Sequence, residues 1–252
     1  MTSADQYRAP WLPGASYHVY NRAVPLNRMF VHERDWEVFL AKLHRLLPVF
    51  ELYAYALVGS HFHLHVRMRM LDEIMVRLAA LSRPSKLQRD FILGRVGFQK
   101  LVGDALSRAF HGYTNYFNLK HERTGELFNE TVRRLRVRDD LLSRRLCGYL
   151  HAQFIKHGLD DKIMGHGIST SFDALLGDEP STLLNRSAVL ERFGGRDAFI
   201  AFHRDYAARR RAALRRFDER RFFGYLPARE RAARNGKRPA YLLDLDEVYV
   251  LR

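Results

Sequence analysis

The stretch Phe50-Glu51-Leu52-Tyr53-Ala54-Tyr55-Ala56-Leu57-Val58-Gly59-Ser60-His61-Phe62-His63-Leu64-His65-Val66-Arg67-Met68 decides how the rest of the chain is read. Its first nine residues are dense in β-forming side chains and predict a strand from Phe50 to Val58. Gly59-Ser60 is a turn signal. From His61 to Met68 the chain alternates. Successive side chains of a strand point to opposite faces, so Phe62, Leu64 and Val66 fall on one side and His61, His63 and His65 on the other. The apolar three are expected to face the core and the imidazoles to project from the open face of the sheet.

Working outward, Ser16-Tyr17-His18-Val19-Tyr20-Asn21 predicts a first strand, broken by Pro25 and Asn27. Trp36, Phe39, Leu40, Leu43, Leu46 and Leu47 recur at helical spacing between Glu33 and Leu47, and Pro48 closes that helix. Leu71 to Leu81 is helical in pattern and is interrupted by Arg83-Pro84-Ser85. A long helix is expected from Phe98 to Lys120, with Leu101, Ala105, Ala109, Tyr113 and Phe117 on one stripe; Tyr113, Tyr116 and Phe117 are in part core. Gly125-Glu126-Leu127-Phe128 is taken to start a fourth strand that runs to Val137. Asp139-Asp140 stands at the N-cap of a helix from Leu141 to Lys156.

The resulting order, strand–helix–strand–strand–helix–strand, is that of a ferredoxin-like split sandwich. The expected fold class is α+β: a ferredoxin-like antiparallel sheet with helices on one face and an extra C-terminal helical segment. The division expected is 1–160 for the main domain and 161–252 for a basic, mostly helical segment. Gly165, Gly167, Gly177 and Pro180 mark loops there, Arg196 to Arg221 reads as a basic helix, and Ala240 to Arg252 as a short strand or a docked arm.

With 252 residues, 47% of them apolar, the chain can bury one good core. Its 42 Lys and Arg against 28 Asp and Glu give a net charge of +14. A field of that sign attracts polyanions, and nucleic acid in particular, because arginines and aromatics lie close together. Cys147 is the single cysteine, which excludes an internal disulfide and a cysteine-rich zinc site. The residues from Met1 to Pro10 carry charges rather than a signal-like apolar run, and no stretch approaches the roughly 20 apolar residues of a membrane span. A cytoplasmic, soluble protein is expected.

Three histidines on one strand face point to metal or phosphate chemistry, since neutral imidazole offers a lone pair at ordinary pH. Two classes use such a strand. In nucleotide hydrolases and transferases with a His-x-His-x-His pattern, the middle imidazole attacks a phosphate. In nucleases and transposases with a His-hydrophobic-His pattern, two imidazoles hold a metal and a distant tyrosine attacks. Arg67, where the first class prefers an apolar residue, and the high charge both weigh toward the second. Tyr149 and Gln153, four apart, share a helix face. A phenol there could act as nucleophile beside a metal-bound phosphate, and the amide oxygen of Gln153 could add a neutral ligand.

Ser16-Tyr17-His18-Val19-Tyr20-Asn21-Arg22, Ser60-His61-Phe62-His63-Leu64, Gly125-Glu126-Leu127-Phe128 and Tyr149-Leu150-His151-Ala152-Gln153 with Gly158-Leu159 follow one another in an order that resembles the single-strand tyrosine transposases of small insertion sequences. Within them, the chain resembles the REP-associated branch. The resemblance runs from about Tyr17 to Leu176, and more loosely to about Tyr206. It implies a ferredoxin-like sheet with the histidine pair on a central strand, binding of single-stranded DNA with hairpin (REP-like palindromic) elements, and cleavage through a 5′-phosphotyrosine with a free 3′-hydroxyl. It implies magnesium or manganese as the metal, His61, His63 and Gln153 as ligands, and Tyr149 as nucleophile. Relatives act as monomers or as homodimers.

Three positions depart from the pattern: Ser60 stands for an Asn before the histidine pair, Gln153-Phe154 for Asn-Pro, and Glu130-Thr131-Val132 for a basic-aromatic run. DNA contacts are expected from Arg22, Arg108, Arg133, Arg134, Arg136, Arg138, Arg144 and Arg145, and His65 and His151 are accessory. The basic stretch from Arg196 to Arg221 is expected to clamp a hairpin stem. The competing readings are a domesticated hairpin DNA-binding protein without activity and a His-x-His-x-His nucleotide hydrolase.

Overall fold

The computed structural model describes residues 9–24, 28–129, 132–156, 168–178 and 181–222, with side chains to residue 214. The strands are β1 (Ser16–Arg22), β2 (Phe50–Val58), β3 (His61–Met68), β4 (Arg133–Val137) and β5 (Ile168–Thr170). They form one sheet in the order β4-β1-β3-β2-β5, every neighbouring pair antiparallel. The first four strands have the order of a ferredoxin-like sheet, and the class is α+β, as expected. Because β5 pairs with the outer edge of β2, residues beyond 160 contribute a strand to the same sheet.

The helices are α1 (Glu33–Leu43), α2 (Leu71–Ala79), α3 (Lys86–Ile92), α4 (Phe98–Lys120), α5 (Asp140–His151), α6 (Gln153–Lys156), α7 (Phe172–Leu176), α8 (Arg186–Phe193) and α9 (Arg196–Phe222). A short 3-10 turn, His44–Leu46, continues α1 before Pro48. The strand expected from Gly125 begins only at Arg133. Gly125 takes a left-handed φ of 85° and Phe128 makes a single isolated bridge to Ala23, so regular pairing waits for β4. The sequence reading passed over α3, yet Ser85 caps it. The Ser85 hydroxyl accepts from the Gln88 backbone, and the Gln88 side chain receives the Ser85 N–H, a capping box legible as Ser-x-x-Gln. Helix α5 starts where Asp139 accepts from the Leu142 N–H at 2.8 Å, and it breaks at Ala152, which leaves Gln153 on the separate turn α6. The tail from Ala240 to Arg252 and the Gly158-Leu159 pair lie outside the described residues.

The sheet is covered on both faces, by two chemically different layers. Paired residues of antiparallel strands share a face. One face therefore carries Tyr17 and Val19 of β1 with Phe62, Leu64 and Val66 of β3. It packs against α1 and α4 through ring contacts: Phe39 to Phe62 at 5.1 Å, Phe62 to Phe110 at 5.3 Å, and Phe39 to Tyr113 at 5.1 Å. Tyr113 and Phe117 are core, as their stripe predicted.

Asp35, fully buried at 0% exposure, ties the start of α1 to the end of α4. It accepts from the Val31 and His32 N–H groups at 2.9 Å, from Lys120 at 2.9 Å and from Tyr116 at 3.2 Å. Burial by itself would raise this carboxyl. The Lys120 ammonium, the two backbone donors and His121 outweigh that and hold it well below the ordinary carboxylate range. Removing a carboxylate that satisfies so many donors leaves Lys120 and two N–H groups uncompensated. We expect Asp35→Ala to lower the unfolding free energy by about 3–5 kcal/mol in urea titrations at neutral pH. A loss below about 1 kcal/mol would show that solvent replaces these contacts freely.

Candidate active site

The second face of the sheet carries the histidines. On β1 the residues sharing it are His18, Tyr20 and Arg22, in register with His65, His63 and His61 of β3. On β2 the partners of His65 and His63 are Ala54 and Ala56. These two methyl groups keep the surface low beside the imidazoles, and α5 lies over it. Cys147 Sγ meets His65 Nδ1 at 3.5 Å, and the Tyr149 ring stands edge-on to His63 at 5.5 Å between centroids. As α5 advances from Cys147 to Tyr149 it moves from His65 to His63, so it runs antiparallel to β3, and Gln153 follows on the separate turn α6. The face expected to be open is thus roofed: His65 is 0% exposed, His63 6% and Tyr149 4%. A strand face bearing three imidazoles looks polar in sequence, but neutral imidazole is flat and largely apolar and packs well under a helix.

Two nitrogens fix how the histidine pair is presented. His63 Nδ1 lies 2.9 Å from His18 Nε2, and His61 Nδ1 lies 3.2 Å from the Ser60 hydroxyl. With these nitrogens engaged, coordination by either imidazole would run through Nε2. The two rings are 5.1 Å apart and nearly perpendicular. Gln153 is fully buried; its amide nitrogen donates to the Tyr149 carbonyl at 3.3 Å, and its Oε1 has no hydrogen-bond partner among the described residues. A buried, unsatisfied amide oxygen is costly and invites a ligand. Among the described residues no three His, Cys, Asp or Glu converge as a metal site. Imidazoles are donors of the kind that transition-metal ions favour, and a neutral amide oxygen such as that of Gln153 is of the kind that magnesium and manganese favour.

The accessory histidines have other partners. His65 is lowered to about 3 by burial and then by the charges of Arg192 and His18, and burial raises the Cys147 thiol to about 12. The pair is neutral packing under α5. His151 turns away from β3 and joins a buried chain. His203 Nδ1 donates to the Phe199 carbonyl at 2.8 Å. His203 Nε2 lies 2.9 Å from His151 Nδ1, and His151 Nε2 lies 2.8 Å from the Ser171 hydroxyl. The Ser171 oxygen accepts from the Tyr55 N–H at 2.9 Å, and its hydroxyl reaches the Tyr55 carbonyl at 3.4 Å. The chain joins α5, α9, the turn before α7 and β2. Gly148, beside the tyrosine, is where α9 comes closest. A Cβ there would stand 2.8 Å from the Tyr206 ring and 3.0 Å from Phe202.

The arginines divide. Arg22 and Arg133 are exposed on the histidine side, opposite His61 and Tyr20. Arg144 and Arg145 are half-buried on α5. Arg134 and Arg136, opposite Val19 and Tyr17, belong to the other side of β4, where Arg134 lies over the Trp11 ring at 4.8 Å. Arg138 is exposed beyond the end of β4. Arg108 sits on α4 in the opposite layer, paired with Asp104 at 2.8 Å, and is not brought to the site. The sequence reading missed His18, Tyr20, His203, Ser171 and Gly148. His18 and Tyr20 were findable, since they alternate as the imidazoles do; nothing local marks His203 or Ser171. The start of α9, expected as a basic clamp, uses Phe199, Phe202 and Tyr206 to pack on α5 and α8.

No protein family and no curated protein matches the chain. Among solved structures, its fold is similar to that of a REP-associated tyrosine transposase bound to a REP hairpin, at 11% identity and a TM-score of 0.44, over 73% of this chain and 98% of that one. No helix among the described residues is long and apolar enough to cross a membrane.

Two outcomes test this packing. A helix-interior Gly is ordinarily about 0.5–1 kcal/mol worse than Ala. At position 148 the sign should reverse, with Gly148→Ala costing about 1–3 kcal/mol because the Tyr206 ring must shift. Equal or greater stability in thermal melts would mean that α9 does not sit there.

Burial pushes His203 down to about 4, against an unfolded value near 6.5, although backbone bonds at Phe199 and Cys147 oppose the shift. Below pH 6.5 the unfolded chain binds a proton that the folded one refuses. The stabilisation is complete above 6.5 and is lost as pH falls toward 4, at about 1.4 kcal/mol per pH unit. His203→Phe should be less stable at pH 7, because His151 loses a hydrogen-bond partner, and should decline less steeply in acid. Parallel declines in urea titrations at pH 7, 6 and 5 would refute a neutral buried His203.

Proposed function

We propose that this chain is a metal-dependent single-stranded DNA endonuclease and strand transferase. It binds strands bearing hairpin elements, cleaves beside them, and rejoins the ends through a 5′-phosphotyrosine on Tyr149. The observation that carries this reading is the stacking of one helix on one strand. Tyr149 lies against His63, and one turn on Gln153 keeps a buried amide oxygen without a hydrogen-bond partner among the described residues. Tyrosine, two imidazoles and an amide oxygen on a basic chain suit attack on a phosphodiester better than any reaction of a small neutral substrate.

In this reading His61, His63 and Gln153 would hold magnesium or manganese, which when bound would polarise the scissile phosphate and offset developing negative charge. The Tyr149 oxygen forms the new bond to phosphorus, its proton passes to solvent, and the bond to the 3′-oxygen breaks, that oxygen taking up a proton. The covalent link keeps the phosphodiester for a later 3′-hydroxyl, whose attack reverses the step without ATP. Arg22 and Arg133, exposed on the same side, are placed to hold backbone phosphates, and Arg144 and Arg145 flank the tyrosine on its helix. A nucleotide hydrolase attacking through the middle imidazole is a poorer fit, because His63 lies beneath Tyr149.

The decisive experiment uses hairpin-bearing single-stranded DNA with manganese. Wild type should trap the downstream fragment on protein through its 5′-phosphate, and protease should release it on a peptide containing Tyr149. Tyr149→Phe should bind the hairpin with unchanged affinity and form no adduct and no free 3′-end. Normal cleavage by Tyr149→Phe would end the transesterase reading, and wild type that binds hairpins without cutting would favour a DNA-binding protein without activity. Affinity should also fall with salt, each neutralised phosphate contributing about −0.7 to −0.9 to the log–log slope. A flat response would remove nucleic acid as the partner.

A further inference from the structure

We infer that His18 is a positioning residue that holds the His63 imidazole in the one tautomer able to bind a cation from the site side; this rests on the proposed cation-binding reading of His63. Register brings the two together. His18 pairs with His65 and Tyr20 with His63, so His18 is the diagonal neighbour of His63, within reach of a flat side chain. His18 is buried and stacks with two neighbouring rings, Tyr20 at 4.8 Å and His63 at 5.1 Å, which are themselves 5.8 Å apart. The Tyr149 ring meets its edge at 6.0 Å. One imidazole thus touches both the proposed ligand and the proposed nucleophile.

The hydrogen bond decides the chemistry. With His63 Nδ1 and His18 Nε2 2.9 Å apart, a single proton lies between them. If His63 Nδ1 donates it, His63 Nε2 carries a lone pair and can coordinate, while His18 keeps its own proton on Nδ1. If His18 donates instead, the His63 proton moves to Nε2 and blocks coordination. Ligating histidines are commonly oriented by a partner on the second ring nitrogen, and loss of that partner costs about 10–100-fold in metal affinity. His61 has the same arrangement with the Ser60 hydroxyl, but that group is exposed and rotates, whereas His18 is clamped by its neighbours. Burial makes His18 the stronger constraint.

The test needs no DNA. Manganese affinity of the full chain is measured by electron paramagnetic resonance titration, and ring-nitrogen NMR of the metal-free protein reports the His63 tautomer. Wild type should carry the His63 proton on Nδ1. His18→Phe keeps the stacked ring and removes the acceptor; it should weaken manganese binding about 10–100-fold and move the His63 proton toward Nε2. His18→Gln, whose amide oxygen can accept from Nδ1, should restore affinity to within a few-fold. If His18→Phe fails to fold, His18→Gln with the wild-type tautomer measurement still decides. Unchanged affinity in a folded His18→Phe, a wild-type His63 proton on Nε2, or equal losses in both variants would overturn the inference. His63→Ala separates the two levels: if it leaves manganese binding intact, the cation reading itself has failed, whatever His18 does.

Discussion

The antiparallel seating of α5 on the histidine face of β3 governs nearly everything else in this protein. A helix over a pleated sheet normally rests on a bed of branched aliphatic side chains. Here it rests on His63, His65 and His18, lowered on one side by Ala54 and Ala56. That contact brings Tyr149 against His63, sets Gln153 one turn beyond, and seals Cys147 over His65. Gly148 then lets α9 close on the outer side of the same helix, so that Leu146 to His151 is buried without interruption. A helix enclosed on both sides has little freedom to roll.

Burying so many imidazoles has an electrostatic consequence. Each of His65, His151 and His203 is driven toward its neutral form by burial; His203 and His65 lower His151 further, while backbone bonds at Phe199 and Cys147 oppose the shift of His203. Neutral imidazole has one donor and one acceptor, so a buried histidine is tolerable only when its neighbours supply the complement. The His203–His151–Ser171 chain brings a polar partner to both ring nitrogens of each histidine. The same logic operates at His18 and His63, where a ring nitrogen is directed by a partner rather than by solvent. The polar interior is therefore directional, whereas the apolar interior on the other side of the sheet is not.

The two layers divide the work. Beneath α1 and α4, Phe39, Phe62, Phe110 and Tyr113 form a close aromatic core, and Asp35 locks its rim with charge-assisted bonds. That layer contributes the bulk of the hydrophobic stabilisation, at about 1.5–3 kcal/mol per fully buried large apolar side chain. It allows the opposite layer to hold groups that contribute little to stability, including an amide oxygen without a partner among the described residues and imidazoles displaced from their ordinary titration range.

Strand alternation was legible without coordinates. It placed β3 to the residue and separated the imidazoles from Phe62, Leu64 and Val66, while β-forming density bounded β2 and the order of elements gave the ferredoxin-like pattern. The apolar stripe of α4 and the cap at Asp139 were legible for the same reason, since they are local periodicities and local hydrogen bonds. Other features were beyond such reading. That the histidine face is roofed, that Arg108 belongs to the far layer, and that β4 starts at Arg133 follow from where distant segments pack. His18 reaches His63 only through register, across 45 positions of sequence, and His151 reaches His203 across 52. Side-chain period belongs to a strand by itself, but the partner of a buried imidazole is chosen by the tertiary structure, because a lone hydrogen-bonding nitrogen is satisfied by whatever atom folding brings within about 3 Å.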